Sequence, residues 1–223
     1  MIKRFIYTQI SKAQQDTPVV MITGARQTGK STFCQQLLKD GIFSGSYVTF
    51  DDPSVLAAAQ SDPMGFLLDI GENVIIDEVQ RAPEIFLSLK KLIDDNRNRR
   101  IILTGSANVM LQPKVADSLA GRIETHHLWP FSVDEINGRK SVFLDNLIND
   151  KNNFESIPTR WEEIIGLIRR GGYPEVVNRL SESRRAKWLQ VYLESILQKD
   201  IRDLANIDGL IYMPKIWPTS GAE

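Results

Sequence analysis

The 223-residue sequence predicts an α/β fold, a parallel sheet with helices on both faces. Three observations predict it. Short apolar runs alternate with helical patterns through the first half of the chain. The runs read as continuous Val, Ile and Leu rather than as apolar and polar in turn, as strands buried on both sides do. The first run also passes through a glycine-bounded turn, Gly24 to Ser31, straight into a helical pattern.

The strands are expected at Pro18–Thr23, Tyr47–Phe50, Val74–Ile76 and Ile101–Thr104, with a fifth, weaker one at Ile123–Leu128. A helix is expected over Ser31–Lys39. Another is expected over Ile85–Asp94, where Ile85, Leu89, Leu92 and Ile93 share one face. The second half changes character. The Asn/Asp-rich stretch from Asp145 to Asn153 reads as a loop or boundary. Trp161–Arg169 is a helix ended by Gly171 and Gly172, with Pro174 barring an immediate restart. Ser181–Leu204 is a long helix with Trp188, Val191, Tyr192, Ser195 and Ile196 near one stripe. The expected organisation is a nucleotide-binding core over 1–135, a helical lid or linker over 136–205, and the start of a further domain over 206–223.

Composition narrows the classes. The net charge is -1, so no global field draws the chain to nucleic acid or anionic lipid. The single cysteine, Cys34, excludes an internal disulfide and suits a reducing, cytoplasmic compartment. The N-terminal residues have no long apolar run, and no segment is apolar and long enough to span a bilayer, so no membrane role is expected.

The residues Gly24-Ala25-Arg26-Gln27-Thr28-Gly29-Lys30-Ser31 fit the spacing G-x-x-x-x-G-K-[ST] between strand and helix. Glycine at 24 and 29 lets the backbone wrap around a phosphate chain and aim its N–H groups inward. The following helix adds the positive end of its dipole. Lys30, on an exposed loop, is expected to bridge the β- and γ-phosphates, and the Ser31 hydroxyl to ligate Mg²⁺. Thr32 completes the stretch expected to bind the nucleotide, ATP.

A second signal is Val74-Ile75-Ile76-Asp77-Glu78, an apolar strand ending in two carboxylates. Asp77 would hold magnesium through its water shell, since that ion keeps several waters. Glu78 would orient or polarise an attacking water. A third is Ile101-Ile102-Leu103-Thr104-Gly105-Ser106-Ala107-Asn108, where a strand ends in small polar residues. Thr104, Ser106 and Asn108 are equal candidates to sense the γ-phosphate, and Ser106 enters the binding set on that ground. Any one of them would equally serve as a cap at an ordinary turn. Arg122, in Leu119-Ala120-Gly121-Arg122, is a third catalytic candidate beside Lys30 and Glu78. It would stabilise charge on the phosphoryl group in its own chain or across a subunit boundary, or else pair with a surface carboxylate.

Together these residues resemble AAA-like P-loop ATPases of bacteria and archaea that carry a C-terminal domain of unknown function. The resemblance runs through GARQTGKST, YVTFDDP, IIDEVQRAPEIFLSLKKLID, ILTGSAN, SLAGRIETHHLWPFS, RRGGYPE and YLESILQKDIRDLANI. It implies a three-layer P-loop NTPase sandwich with sheet order 5-1-4-3-2, followed by a small mainly helical region. It implies ATP and Mg²⁺ as ligands, with Lys30, Ser31, Asp77 and Glu78 in the roles above and Arg122 as the family's arginine. It sets Asp51 and Asp52 near the nucleotide edge without giving them a role. Such proteins are longer, so the chain, whose stretch Ile216–Glu223 does not read as the next helix, is expected to be C-terminally truncated or frameshifted.

The remaining features read blandly. His126 and His127 lack a carboxylate or cysteine at ligand spacing and are expected to be structural. Trp161, Trp188 and Tyr192 are expected to pack in a core or lid. Arg169, Arg170, Arg184 and Arg185 suit a solvated helix face. The expected function is a Mg-dependent ATPase that couples hydrolysis to movement of an attached domain. The competing expectation is a nucleotide-dependent switch with little hydrolysis. A small-molecule kinase lacks an acceptor signature. A homo-oligomer, and an unidentified protein or nucleic-acid partner, are compatible with all three.

Overall fold

A computed structural model describes residues 2–106, 109, 119–140, 147–149 and 160–204, with side chains as far as residue 196. The chain divides into two compact units, Met1–Ser156 and Ile157–Glu223.

The first unit is built on five parallel strands: β1 (Val19–Thr23), β2 (Ser46–Thr49), β3 (Asn73–Asp77), β4 (Arg100–Gly105) and β5 (Ile123–His127). Their order is β2-β3-β4-β1-β5, the expected order read from the other edge. The pattern of apolar residues follows from that order. All five residues of β1 are buried, because β4 and β5 flank it and helices cover both faces. The edge strands β2 and β5 are partly open, and their sequences are correspondingly more polar.

Side chains on a strand point alternately to opposite faces, and each face here has its own core. On one face Val19, Met21, Val74, Ile76, Ile101 and Leu103 meet Leu67 and the apolar stripe Ile85, Phe86, Leu89, Leu92 and Ile93. These partners come from α4 (Pro63–Asp69) and α5 (Ile85–Asp95), and α3 (Pro53–Ser61) adds Ala59. On the other face Val20, Ile22, Ile75 and Ile102 meet α1 (Ile6–Asp16) and α2 (Lys30–Lys39) through Ile6, Ile10, Ala13, Phe33, Cys34 and Leu37. Each fully buried Leu, Ile or Phe contributes about 1.5–3 kcal/mol. This is the three-layer sandwich that the sequence predicts.

Several helices were not expected from the sequence. In α1, Ile6, Ile10 and Ala13 recur at helical spacing and are buried. Both α3 and α4 start at an Asp-Pro pair. Asp52 accepts from the N–H groups of Ser54 and Val55, Asp62 accepts from that of Gly65, and proline stands inside each first turn. A short helix, α6 (Val133–Ile136), follows β5. It opens with a capping box in which Ser132 and Glu135 exchange hydrogen bonds with each other's backbone.

The second unit contains α7 (Trp161–Arg170), α8 (Pro174–Val177) and α9 (Glu182–Leu204). The chain restarts a helix at Pro174 after all, because the first turn needs no N–H from that residue. Trp188 stacks on Tyr192 at 5.0 Å, Tyr173 packs against both rings, and Val176 is fully buried. Trp161, expected to pack, is instead 68% exposed. Arg169 pairs with Glu182, and Arg185 donates to the Leu180 carbonyl. Among the described residues no helix is long and apolar enough to cross a membrane.

Candidate functional site

A parallel sheet brings the ends of all its strands to one edge, where open α/β sheets hold their ligands. The turn after β1, the carboxylates closing β3 and the polar end of β4 therefore meet there.

The turn is built for close approach. A Cβ on Gly24 would come within 2.5 Å of the Leu128 carbonyl oxygen, so the chain passes only as glycine. Gly29 has φ 93° at the cap of α2, a conformation that glycine accepts at little cost. Gln27 adopts φ 62° without being glycine, and Thr28 is buried with its hydroxyl donating to the Ala25 carbonyl. Arg26 is exposed, and Ser31 and Thr32 follow Lys30 in the first turn of α2.

Lys30 corrects the expectation of an exposed loop. It is the first residue of α2 and only 6% exposed. Its Nζ donates to the carbonyl oxygens of Gly24 and Ala25, both at 3.0 Å. Burial pushes its pKa down. Glu78 and Asp77 partly offset that, and Arg26 adds to it. The ammonium thus lies inside the turn, within electrostatic range of both carboxylates.

Asp77 is 2% exposed and has both oxygens engaged. The Thr104 hydroxyl donates to Oδ1, and the Tyr47 hydroxyl donates to Oδ2 at 2.8 Å. Burial and this carboxylate raise the Tyr47 pKa. Glu78 follows in a left-handed conformation, φ 61° and ψ 41°. Its N–H donates to Thr104 Oγ1 at 3.1 Å, and its Oε2 accepts from the Gln80 side chain. Thr104 therefore holds both acidic residues. The Ser106 N–H donates to Gln80 Oε1 at 3.3 Å. Asn108 lies outside the described residues.

Tyr47 and Gln80 were missed in the sequence. Tyr47 stands 30 positions before Asp77, and no spacing rule links residues on neighbouring strands. Gln80 had a signal, two positions after Glu78 in DEVQR, which was read only as part of a resemblance. Asp51 pairs with Arg81 at 2.6 Å, and Asp52 caps α3.

Arg122 is not brought to this edge. It immediately precedes β5, at the opposite end of the sheet, where its carbonyl accepts from the Val19 N–H. Its guanidinium makes a two-pronged pair with Asp94, at 2.7 and 2.9 Å. That pair raises the Arg122 pKa and lowers that of Asp94. A role toward the phosphates of its own chain is therefore corrected: the length of β5 separates them.

A cavity of about 470 Å³ is lined among others by Phe5, His127, Trp129 and Leu128, whose carbonyl lies against Gly24. His127 Nδ1 lies 3.2 Å from Thr23 Oγ1, and its ring packs on Trp129 at 4.0 Å. Burial and the nearby Lys30 lower the His127 pKa. On the far wall Glu135 accepts from the Phe5 N–H at 2.7 Å, and its Oε1 lies 3.8 Å from the buried Arg4 guanidinium.

The sequence matches the AAA domain family over residues 16–137, more than half of the chain. The chain belongs to the AAA domain family. A second match, to a domain of unknown function, covers residues 162–220. An uncharacterised protein of Mycobacterium tuberculosis is 29% identical to this AAA protein over 217 residues, 96% of this chain and 43% of its own length. An uncharacterised protein of Methanocaldococcus jannaschii is 26% identical over 204 residues, 86% of this chain and 44% of its own. The chain thus spans less than half the length of the curated relatives it matches. A Walker-type ATPase of Pyrococcus abyssi shares the fold with a TM-score of 0.54 at 15% identity, over 92% of this chain and 75% of that one.

Proposed function

We propose that this AAA domain binds ATP with magnesium and hydrolyses it, driving a conformational change in an attached domain. The observation that carries the proposal is the convergence on one sheet edge of the Gly24–Lys30 turn and the Asp77–Glu78 pair. The turn fits a phosphate chain. Gly24 leaves no room for a Cβ, and the Lys30 ammonium donates to two carbonyls that an anion would readily outcompete. Gly24 to Thr32 would surround the phosphates, with Ser106 as the candidate at the γ-phosphate end.

Magnesium, when bound, would neutralise charge on the phosphates. Ser31 would supply a direct oxygen. Asp77, with both oxygens already accepting hydrogen bonds, would act through a water. Glu78 would accept a hydrogen bond from the attacking water. The cavity lined by His127, Leu128 and Trp129 would take the base, and the family resemblance favours adenine.

The test is Glu78→Gln in the full chain. The amide keeps the shape of the side chain and removes its anion. ATP affinity should hold while single-turnover hydrolysis of labelled ATP slows by roughly 10²–10⁴-fold. Equal rates in variant and parent would refute hydrolysis through Glu78. A parent that binds ATP and releases no phosphate is the nucleotide switch, and label appearing on a small acceptor is a kinase.

A further inference from the structure

Glu78 holds a backbone conformation that side chains other than Gly, Asn and Asp rarely adopt. Such a residue persists where its surroundings over-determine it. Its N–H is tied to Thr104, and its carboxylate is tied to Gln80.

Gln80 uses both ends of its amide. Nε2 donates to Glu78 Oε2, and Oε1 accepts from the Ser106 N–H at 3.3 Å. The amide has one workable orientation. Reversed, it would set its oxygen against a carboxylate and its NH₂ against an N–H. Gly105 gives it space, since a Cβ there would lie 2.9 Å from Gln80 Oε1. A neutral side chain thus bridges the carboxylate after β3 to the backbone after β4.

We propose that Gln80 is the positioning residue for Glu78. It fixes one carboxylate oxygen, leaves the other for the water, and ties the placement of Glu78 to the segment after β4. The assignment rests on Glu78 being the water-orienting group. An amide that merely caps the turn would affect stability without coupling to the Glu78 carboxylate.

The experiment uses Gln80→Leu, Gln80→Glu and Glu78→Gln in the full chain, with three measurements. Single-turnover hydrolysis reads function, affinity for a non-hydrolysable ATP analogue reads binding, and amide exchange at Ser106 without nucleotide reads the bridge. Gln80→Leu should slow turnover roughly 10–100-fold, as a misplaced catalytic group does. Analogue affinity should stay within about two-fold, and the Ser106 amide should exchange faster, having lost its acceptor. Gln80→Glu keeps an acceptor for Ser106 but sets two carboxylates face to face. It should keep the slow exchange and lose turnover. In a Glu78→Gln background, Gln80→Leu should change turnover by no more than about two-fold, because it acts through Glu78. Normal turnover in Gln80→Leu beside a slow Glu78→Gln overturns the positioning role alone, as does an additive loss in the double variant. Normal turnover in Glu78→Gln, or none in the parent, overturns the role of Glu78 and the positioning role with it.

Discussion

The Lys30 ammonium is nearly out of water, and burial is the first cause of its lowered pKa. A base with a lowered pKa in the fold binds its proton more tightly when unfolded. Stability therefore rises with pH between the lowered value and the ordinary 10.5, and below that window the buried charge opposes folding. Lys30→Met should melt no lower than the parent at pH 7 and show less of this alkaline rise. It should also bind ATP roughly 10–100-fold more weakly, having lost a charge-assisted contact. Calorimetry and a melting curve on the same sample check both. A clear drop in melting temperature would show that the ammonium braces the turn. The spacing of glycines and lysine locates this site from the sequence, yet the depth of Lys30 does not follow from it. Its surroundings include Asp77, Glu78 and His127, which lie roughly fifty to a hundred residues downstream and which no local spacing brings to it.

The helices α3 and α4 show what a cap adds at the scale of an element. Asp52 accepts from Ser54 Oγ at 2.6 Å and Ser54 N at 2.8 Å, and these bonds hold its pKa below the ordinary 3.8. An acid with a lowered pKa stabilises the fold above its unfolded value and loses that contribution as pH falls through the folded one. Asp52→Ala should lower the melting temperature at pH 7, and its difference from the parent should vanish below the lowered pKa. Paired melts at neutral and strongly acidic pH measure it. The Asp-Pro starts of both helices were visible in the sequence. The Ala-rich stretch between them lacks a strong apolar stripe, which is why periodicity alone passed over it. The strands were legible because burial on both faces leaves runs such as VVMI and VII with no polar interruption. The capping box of α6 does more than start a helix. Glu135 also receives the Phe5 N–H and faces the buried Arg4. Glu135→Ala leaves that guanidinium without its anion and should cost about 3–5 kcal/mol in denaturant unfolding. A loss below 1 kcal/mol would show that Arg4 relaxes to solvent.

Across the whole first unit, the parallel sheet sets the chemistry at one edge and Arg122 at the other. We propose that Arg122 serves a neighbouring copy of the chain, which would require it to leave or share Asp94. Mixing Lys30→Ala with Arg122→Ala tests this. The first still offers Arg122 and the second still binds ATP, so hydrolysis should return on mixing and fall on dilution. An inactive mixture that light scattering shows to be oligomeric would leave Arg122 a structural ion pair. The sheet order was legible only through the resemblance, because strand pairing joins residues far apart in sequence. The position of Arg122 was legible in neither, since a residue just before a strand and one just after it look alike until the direction of the strand is known.

The left-handed backbone at Glu78 has a consequence for how this protein would respond to selection. Glycine and asparagine are more at ease at that φ than glutamate. A library sorted for thermal survival alone would drift away from glutamate there, and one sorted for nucleotide turnover would drift back. With Glu78 in its proposed role, position 78 is where robustness and turnover favour different letters, and a stabilised scaffold should be chosen with that residue held fixed.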